Sequence, residues 1–510
     1  MTFSLRSHQR AAVSIKSAGR VKDMKAIQNR NNMEKEGSIT VYLALVLTVL
    51  LSVLLTVIEA ARTNAIRFQA ECVTDMALQS ALAEYHREML EQYDLFLTDL
   101  SYGTSESGYG LLEAHIQNYL NSNLSVENAV IFEGPRDLLG MTTETVKVLR
   151  STGAADLNGE ILQNLAAEYM LDRYGIDRLQ DIGPKVQIVE KKELLKNTVE
   201  QKRQQNEQAI HAVDTTVEDA DGKKKKIPVN NPADHVNSRR GSSGILLLVT
   251  GEKAISEKNI QLKDFISNRI VSERDGYLEE SEALSMTEEL AYQEYLMEKC
   301  GNYLEPKEEG ALDYQVEYLI GGKSSDRENL RFVVNRLLLL RETANFMYLM
   351  QDGSKQAEAE AMAAALAVVI LFPELKDLIK LSILIAWAYA ESVNDVRILL
   401  DGGKVPILKD SSSWKLGLEN AMKLDIRGSD KDSGSEGLSY QMYLRLLLAF
   451  TDKYARNFRF MDIVEMDIRR TKGNEKFCLD HCVHDFEAET VIRSTRGHRY
   501  SLVRVAGYQK

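Results

Sequence analysis

Residues 39–58, ITVYLALVLTVLLSVLLTVI, form an unbroken run without a charge. A helix rises ~1.5 Å per residue, so such a run covers the ~30 Å hydrocarbon core of a bilayer. A helix also satisfies its own backbone groups, as lipid demands. The apolar region of a signal peptide is nearer ~7–15 residues and leads into a small-residue cleavage site. Here Glu59, Ala60, Ala61 and Arg62 follow, and the helical pattern carries on through a stripe of Ile66, Ala70, Val73, Ala77 and Ala81. No strong breaker stands before Gly103. The pattern predicts one helix over residues 39–97, ~90 Å long, with about a third of it in lipid.

Beyond this handle most periodicities are helical. Helices are predicted over residues 111–120 and 161–174, with a short apolar stretch at 126–132 between them. Residues 205–243 include Lys223-Lys224-Lys225-Lys226 and Ser238-Arg239-Arg240-Gly241. They lack apolar periodicity and read as a flexible insertion. Residues 281–401 read as packed helices, with apolar runs at 361–372, stopped by Pro373, and at 381–390. Neither run reaches the ~18 residues that span a bilayer. They fit a buried helical hairpin, with a re-entrant membrane pair as the alternative. Gly402-Gly403 supplies the left-handed cap that ends the second helix. A helix at 440–450 precedes two strands, 487–493 and 500–506, turned by Ser494 to Gly497. The fold class is mainly α (α+β).

The expected organisation is a basic leader (1–36), a transmembrane helix (37–58), a membrane-proximal helix (59–102) and an α+β region (103–204). The insertion (205–243), a helical ectodomain (244–470) and a C-terminal β-hairpin region (471–510) follow.

Charge orients the anchor. The chain carries 63 basic and 75 acidic side chains, a net −12. The leader reverses that balance, with Arg6, Arg10, Lys16, Arg20, Lys22, Lys25, Arg30 and Lys35 against Asp23, Glu34 and Glu36. The positive-inside rule places the leader in the cytoplasm and the acidic body outside, as a single-pass protein of the cell membrane. An acidic body argues against nucleic acid as partner, and the lysine run then reads as a solvated loop. Apolar residues at 44% and charged ones at 27% exclude a disordered or rod-like chain. Seven prolines and 7% aromatics favour long helices over a many-stranded sandwich.

Two constellations carry candidate chemistry. Thr40, Ala44, Thr48, Ser52, Thr56 and Ala60 recur every four residues and make one narrow face of the membrane helix small or hydroxylic. Such a face lets a second membrane helix approach closely. Alternatively the hydroxyls bond their own i−4 carbonyls and face lipid. Cys478, His481, Cys482 and His484 group the right residue types for zinc, but their spacing matches no standard finger or catalytic set. They read as structural side chains, with a metal site as the alternative. Gly322-Lys323-Ser324 imitates the end of a phosphate loop. Glu317 stands where that loop needs glycine, so the segment reads as a turn between helices. No H-E-x-x-H, G-x-S-x-G or dinucleotide fingerprint occurs, so neither an enzyme nor a cofactor is expected.

A resemblance adds to this. Gly37-Ser38-Ile39-Thr40-Val41, then Ile58-Glu59-Ala60-Ala61-Arg62 and Asp75-Met76-Ala77-Leu78, resemble the N-terminal module of TadG-like proteins of the Tad (Flp) pilus-assembly system. The remainder is similar to a bacterial membrane-anchored family of unknown function. The matching stretches are Asn231-Pro232-Ala233-Asp234 with Gly244-Ile245-Leu246, Leu338-Leu339-Leu340-Arg341-Glu342, Trp387-Ala388-Tyr389-Ala390-Glu391-Ser392, and Gly402-Gly403-Lys404-Val405-Pro406. Pilin subunits carry Glu five residues after the cleavage glycine, whereas Tyr42 holds that place after Gly37. The resemblance therefore implies an uncleaved, non-enzymatic accessory of pilus assembly or of the envelope, whose partners are the bilayer and a lateral membrane helix or pilus-assembly proteins. The alternative is a membrane-tethered metal-dependent hydrolase using the Cys/His cluster.

Overall fold

The computed structural model describes residues 5–104, 108–125, 139–175, 196–218, 223–242, 244–251, 253–271, 284–426 and 437–508. Helix dominates. In chain order the first elements are α1 (Leu5–Leu82), α2 (Arg87–Tyr93), β1 (Thr98–Asp99), α3 (Gly110–Leu124), β2 (Met141–Gly153) and α4 (Asp156–Tyr174). Next come α5 (Lys196–Ala212), β3 (Thr216–Glu218), β4 (Lys224–Lys226), α6 (Ala233–Asn237), α7 (Gly244–Thr250) and α8 (Met286–Lys299). Then follow α9 (Gln315–Gly321), α10 (Asp326–Leu349), α11 (Gly353–Ala364), α12 (Ala367–Leu371) and α13 (Leu375–Leu400). The chain ends with α14 (Leu418–Lys423), α15 (Tyr440–Ala449), α16 (Lys453–Arg469), β5 (Cys482–Ser494) and β6 (Arg499–Gly507). Strand β5 pairs with β1, β2 and β6 in a four-stranded sheet, and β3 with β4 makes a separate two-stranded one.

The chain divides into two compact units. The first comprises Met1–Gln79, Ile116–Lys147 and Glu489–Val503. Within it, α1 changes character along its length. Leu43, Leu47, Leu50 and Leu55 are all more than half exposed, and the apolar window has no cover inside the chain. Two turns beyond Glu59 the stripe begins, and Ile66, Ala70, Val73 and Ala77 are buried. Thr74 within that stripe shares a hydrogen bond with Thr490 of β5 at 3.1 Å. The hairpin tip is closed by Ser494 N–H donating to the His498 carbonyl at 2.9 Å. Gly497 takes the left-handed conformation there (φ 87°).

The second unit comprises Ser80–His115, Val148–Ala488 and Arg504–Lys510. Its centre is α13, which packs against α5, α6, α7, α10, α11 and α14. A helix surrounded in this way must be apolar on every face. The sequence supplies that in its middle turns with the consecutive residues Ile383, Leu384, Ile385, Ala386, Trp387 and Ala388, all buried. Around it, α4 packs on α8 and on α16.

Several sequence expectations hold. The mainly helical fold, the apolar N-terminal helix and the C-terminal hairpin are all present. The turn at Gly322-Lys323-Ser324 joins α9 to α10, with Gly322 left-handed (φ 62°) as the α9 cap. Gly402 (φ 88°) and the Gly403 N–H, bonded to the Ile398 carbonyl at 2.8 Å, end α13.

Others are corrected. The long helix stops at Leu82 rather than Leu97. The Tyr508 hydroxyl takes the Leu82 carbonyl at 2.6 Å, His86 N–H bonds the Leu97 carbonyl at 2.8 Å, and residues 98–99 are drawn into β5. Long-range pairing here outweighs local helix preference. The stretch 205–243 is not an unstructured insertion: it holds the end of α5, the β3–β4 pair and α6. Its register is set by Thr216 facing Lys226 and Glu218 facing Lys224, a pairing of opposite charges and β-branched residues. The apolar stretch at 126–132 lies outside the described residues.

Candidate functional site

Every side chain from Ser382 to Val396 on α13 is buried, yet Glu391 and Asp395 lie among them, one turn apart. Carboxylates in such surroundings persist only when paired and hydrogen-bonded. The cations come from two other elements. Arg341 follows the leucine run of α10, and its Nε sits 3.0 Å from Asp395 Oδ2. Lys409, on the loop after the α13 cap, pairs with Glu391 and lies 2.6 Å from Asp395 Oδ1. These four side chains are at most 1% exposed.

The remaining valences are filled from nearby. Arg341 Nη1 donates to the Pro406 carbonyl at 2.7 Å and to Tyr443 at 3.1 Å. Asn345 Nδ2 donates to Ser392 Oγ and Asp395 Oδ2, both at 3.0 Å. Glu391 accepts the backbone N–H groups of Lys415 at 3.0 Å and Leu416 at 2.8 Å. Burial acts to raise the Asp395 carboxyl, but the ammonium of Lys409 and the guanidinium of Arg341 outweigh it and hold it below its ordinary range. Burial acts to lower Lys409, and its two carboxylate partners reverse that. A protonated lysine and an ionised aspartate locked on each other are neither nucleophile nor general base. The cluster fixes the relative positions of α10, α13 and the loop after it, the specifying role open to a buried ionic group.

A second layer adjoins it. Arg240 grips Glu342 with two bonds of 2.8 and 2.7 Å, and its guanidinium lies 4.1 Å from the centre of the Tyr389 ring. The stretches containing Arg341 and Glu342, Glu391 and Ser392, and Val405 and Pro406 are among those on which the sequence resemblance rests. They meet here in space.

Glu317 on α9 is another fully buried carboxyl. Its Oε1 accepts Tyr440 Oη at 2.7 Å and Tyr303 N–H at 2.9 Å. Its Oε2 has no hydrogen-bond partner among the described residues. Burial pushes this carboxyl up to about 7, against the lowering effect of Tyr440 and Tyr303.

The Cys/His candidates separate. Cys478, Asp480 and His481 bring their donor atoms within 4.8 Å of one another, and Cys482 and His484 are not part of that group. Cys482 opens β5 with its Sγ 3.9 Å from the Cys478 carbonyl, and His484 is buried further along the strand. Two of the three donors are already engaged, while His481 Nδ1 is buried without a hydrogen-bond partner among the described residues. Arg269 Nη2 lies 2.6 Å from Asp480 Oδ1, and Arg469 Nη2 lies 3.4 Å from Cys478 Sγ. Burial raises the Cys478 thiol. A cation here would sit beside two guanidinium groups on a thiol that holds its proton, which is the electrostatics of an ion-pair cluster. All four cysteines are free.

The hydroxyls of the small-residue ridge turn inward on their own helix. Thr48 Oγ1 donates to the Ala44 carbonyl at 2.7 Å, Ser52 Oγ to Val49 at 2.8 Å and Thr56 Oγ1 to Ser52 at 2.7 Å. With Ala60, these residues are exposed, as are Thr40 and Ala44.

Sequence reasoning did not single out Asp395 or Lys409, and it met Glu317 only as the residue that breaks the phosphate-loop pattern. A usable signal was present: Glu391 and Asp395 interrupt the apolar face of α13 at i, i+4, where a surface helix would not place them.

The fold and site define a helical body with a buried ionic centre, carried by a chain in which one described helix is long and apolar enough to cross a membrane. Residues 222–494 match a family of unknown function, DUF5702. The match covers more than half of the chain, and the chain belongs to that family. No curated protein matches, and no solved structure matches.

Proposed function

We propose that this protein is a single-pass, membrane-anchored component of the cell envelope, non-enzymatic, with its body on the extracytoplasmic side and a place in Tad/Flp-type pilus assembly. The observation that carries the anchor is the abrupt change along α1. Residues 39–58 are apolar and uncovered, and the stripe from Ile66 onward is buried. One continuous helix thus joins a lipid-soluble half to a protein-packed half. The leader's positive charge supports the orientation, and the pilus assignment rests on the resemblance of residues 37–78 to TadG-like modules. The four ions of the centre between α10, α13 and Lys409 are paired with one another, which favours a scaffold over a catalyst. The face of Thr40, Ala44, Thr48, Ser52, Thr56 and Ala60 is the lateral contact for a second membrane helix.

Fractionation and protease protection test the anchor. The full chain is expected in the membrane fraction, with its C-terminal part digested by protease added outside wall-stripped cells. A soluble product or a protected body overturns the reading. Co-purification of pilus-assembly proteins that is lost when residues 39–58 are replaced by an unrelated membrane helix tests the pilus assignment.

A further inference from the structure

Helix α5, the end of β4 with the segment after it, α6 and one face of α13 line an open cavity of about 360 Å³, within the range of small-molecule sites. It is separate from the ionic centre and from the cysteine trio. Asn206 lines it and is only 4% exposed. Its Nδ2 donates to the Leu378 carbonyl at 2.8 Å and to Ser382 Oγ at 2.9 Å. Its Oδ1 accepts no hydrogen bond from any described residue. A buried amide oxygen is rarely left so, and this one asks for a donor.

The charges around the cavity ask for a donor of one kind. Arg203 is shared by Glu200 at 2.7 Å and Glu207 at 3.0 Å, one cation between two carboxylates. Asp234, also on the wall, is an exposed residue whose backbone bonds Asn231 and Ser238, leaving its carboxylate turned to the cavity and solvent. Burial first, and then the Glu207 charge, raise its carboxyl, with His211 opposing. Lys226 stands at the rim, so the lining itself is balanced, and Glu200 behind Arg203 tips the surroundings to three carboxylates against two cations. The rest of the lining includes Ile210, Ile227 and Ile385, room for a short hydrocarbon stem.

We propose that this cavity binds a small aliphatic amine, its ammonium group held by Asp234 beside Glu207 and a donor of the ligand met by Asn206 Oδ1. Charge-assisted hydrogen bonds to a carboxylate are the strong contacts of such a site.

The test is calorimetric titration of the full chain in detergent with pentylamine, 1,5-diaminopentane and pentanoate. Saturable binding of either amine, with pentanoate silent, is expected. Asp234→Asn should weaken the amine by at least about tenfold, and Glu207→Gln should weaken it less because Arg203 already neutralises that carboxylate in part. Circular dichroism confirms that both variants fold. Equal binding of pentanoate, an Asp234→Asn affinity equal to the parent's, or no heat from any of the three overturns the proposal. Binding of a lysine-bearing peptide where the free amines fail also overturns it, in favour of a protein partner.

Discussion

The Arg496 guanidinium pairs with the Glu59 carboxylate across 437 residues of sequence. Glu59 is the first charged residue after the apolar run, so the pair ties the tip of the C-terminal hairpin to the point where α1 would leave lipid. His498 stands 4.0 Å from the same carboxylate, and Thr495 N–H bonds the Gly140 carbonyl at 2.7 Å. Both partners of the ion pair are substantially exposed, and such pairs contribute only about 0.2–1 kcal/mol. Its interest is positional.

The hairpin tip should therefore lie at headgroup depth. A fluorophore placed at position 497 of the bilayer-reconstituted chain is expected to be quenched by lipids spin-labelled on the headgroup, and hardly at all by lipids labelled deep in the acyl chain. Quenching by neither would separate the tip from the bilayer surface and remove the anchor at residues 39–58.

Removing one ion from the buried cluster should be costly. Lys409→Met leaves Glu391 without a cation and Asp395 with Arg341 alone, and breaking a buried pair in this way costs about 3–5 kcal/mol. Urea unfolding followed by circular dichroism should show the midpoint fall by that equivalent. Arg341→Lys should also destabilise, since an ammonium cannot reach Asp395, the Pro406 carbonyl and Tyr443 together as the planar fork does. A loss under about 1 kcal/mol for Lys409→Met would mean that the cluster is wet.

How much of this was legible depended on whether a residue's partner lay close in sequence. The uncharged run, the stripe from Ile66 to Ala81, the Gly402-Gly403 cap and the hairpin turn are local patterns, and each reappears in place. The break after Leu82 is not local, because it depends on Tyr508 and on β5 taking residues 98–99. Strand β2 was missed because its outward positions, such as Glu144, Lys147 and Arg150, mask the alternation. Helix α16 falls within the expected helical ectodomain but was not delimited, for the opposite reason. It buries Arg456, Asp462, Glu465 and Asp467, so its inward face reads as polar until the distant partners are known. Arg456 meets Glu289 at 2.6 Å, and Asp467 accepts from Tyr93 at 3.0 Å. The ionic centre was invisible in the same way: its four charges come from three stretches of chain that no spacing rule connects.

Glu317 gives the body a pH dependence with a definite sign. In the unfolded chain this carboxyl titrates near 4.5, and in the folded state near 7. Between those values the folded protein holds the extra proton, so stability falls as pH rises from about 4.5 to about 7 and then levels off. The uncharged isostere Glu317→Gln removes this contribution. It should match the parent near pH 4.5 and exceed it by about 3 kcal/mol at pH 8, read from paired denaturation curves. The difference between the two chains isolates Glu317 from Asp326 and from Asp462, which burial also raises. A difference that does not change with pH would show that Glu317 does not titrate in that window.

The membrane ridge offers a contrast between packing and hydrogen bonding. Thr48, Ser52 and Thr56 each spend their hydroxyl proton on a carbonyl of α1 itself. A second helix on this face would then be held by the close approach that small side chains allow, and little by hydroxyl donation across the contact. Two substitutions separate these terms. Ala44→Leu combined with Ser52→Leu adds bulk and should abolish association of the full chain in a bilayer, measured by energy transfer between labelled copies or with the captured partner. Thr48→Val keeps the shape and deletes the hydroxyl, and it should leave association within about twofold, since hydrogen bonds between membrane helices average about 0.6 kcal/mol. If the leucine pair changes nothing, the ridge faces lipid and its periodicity reflects only the i−4 bonding of its own hydroxyls.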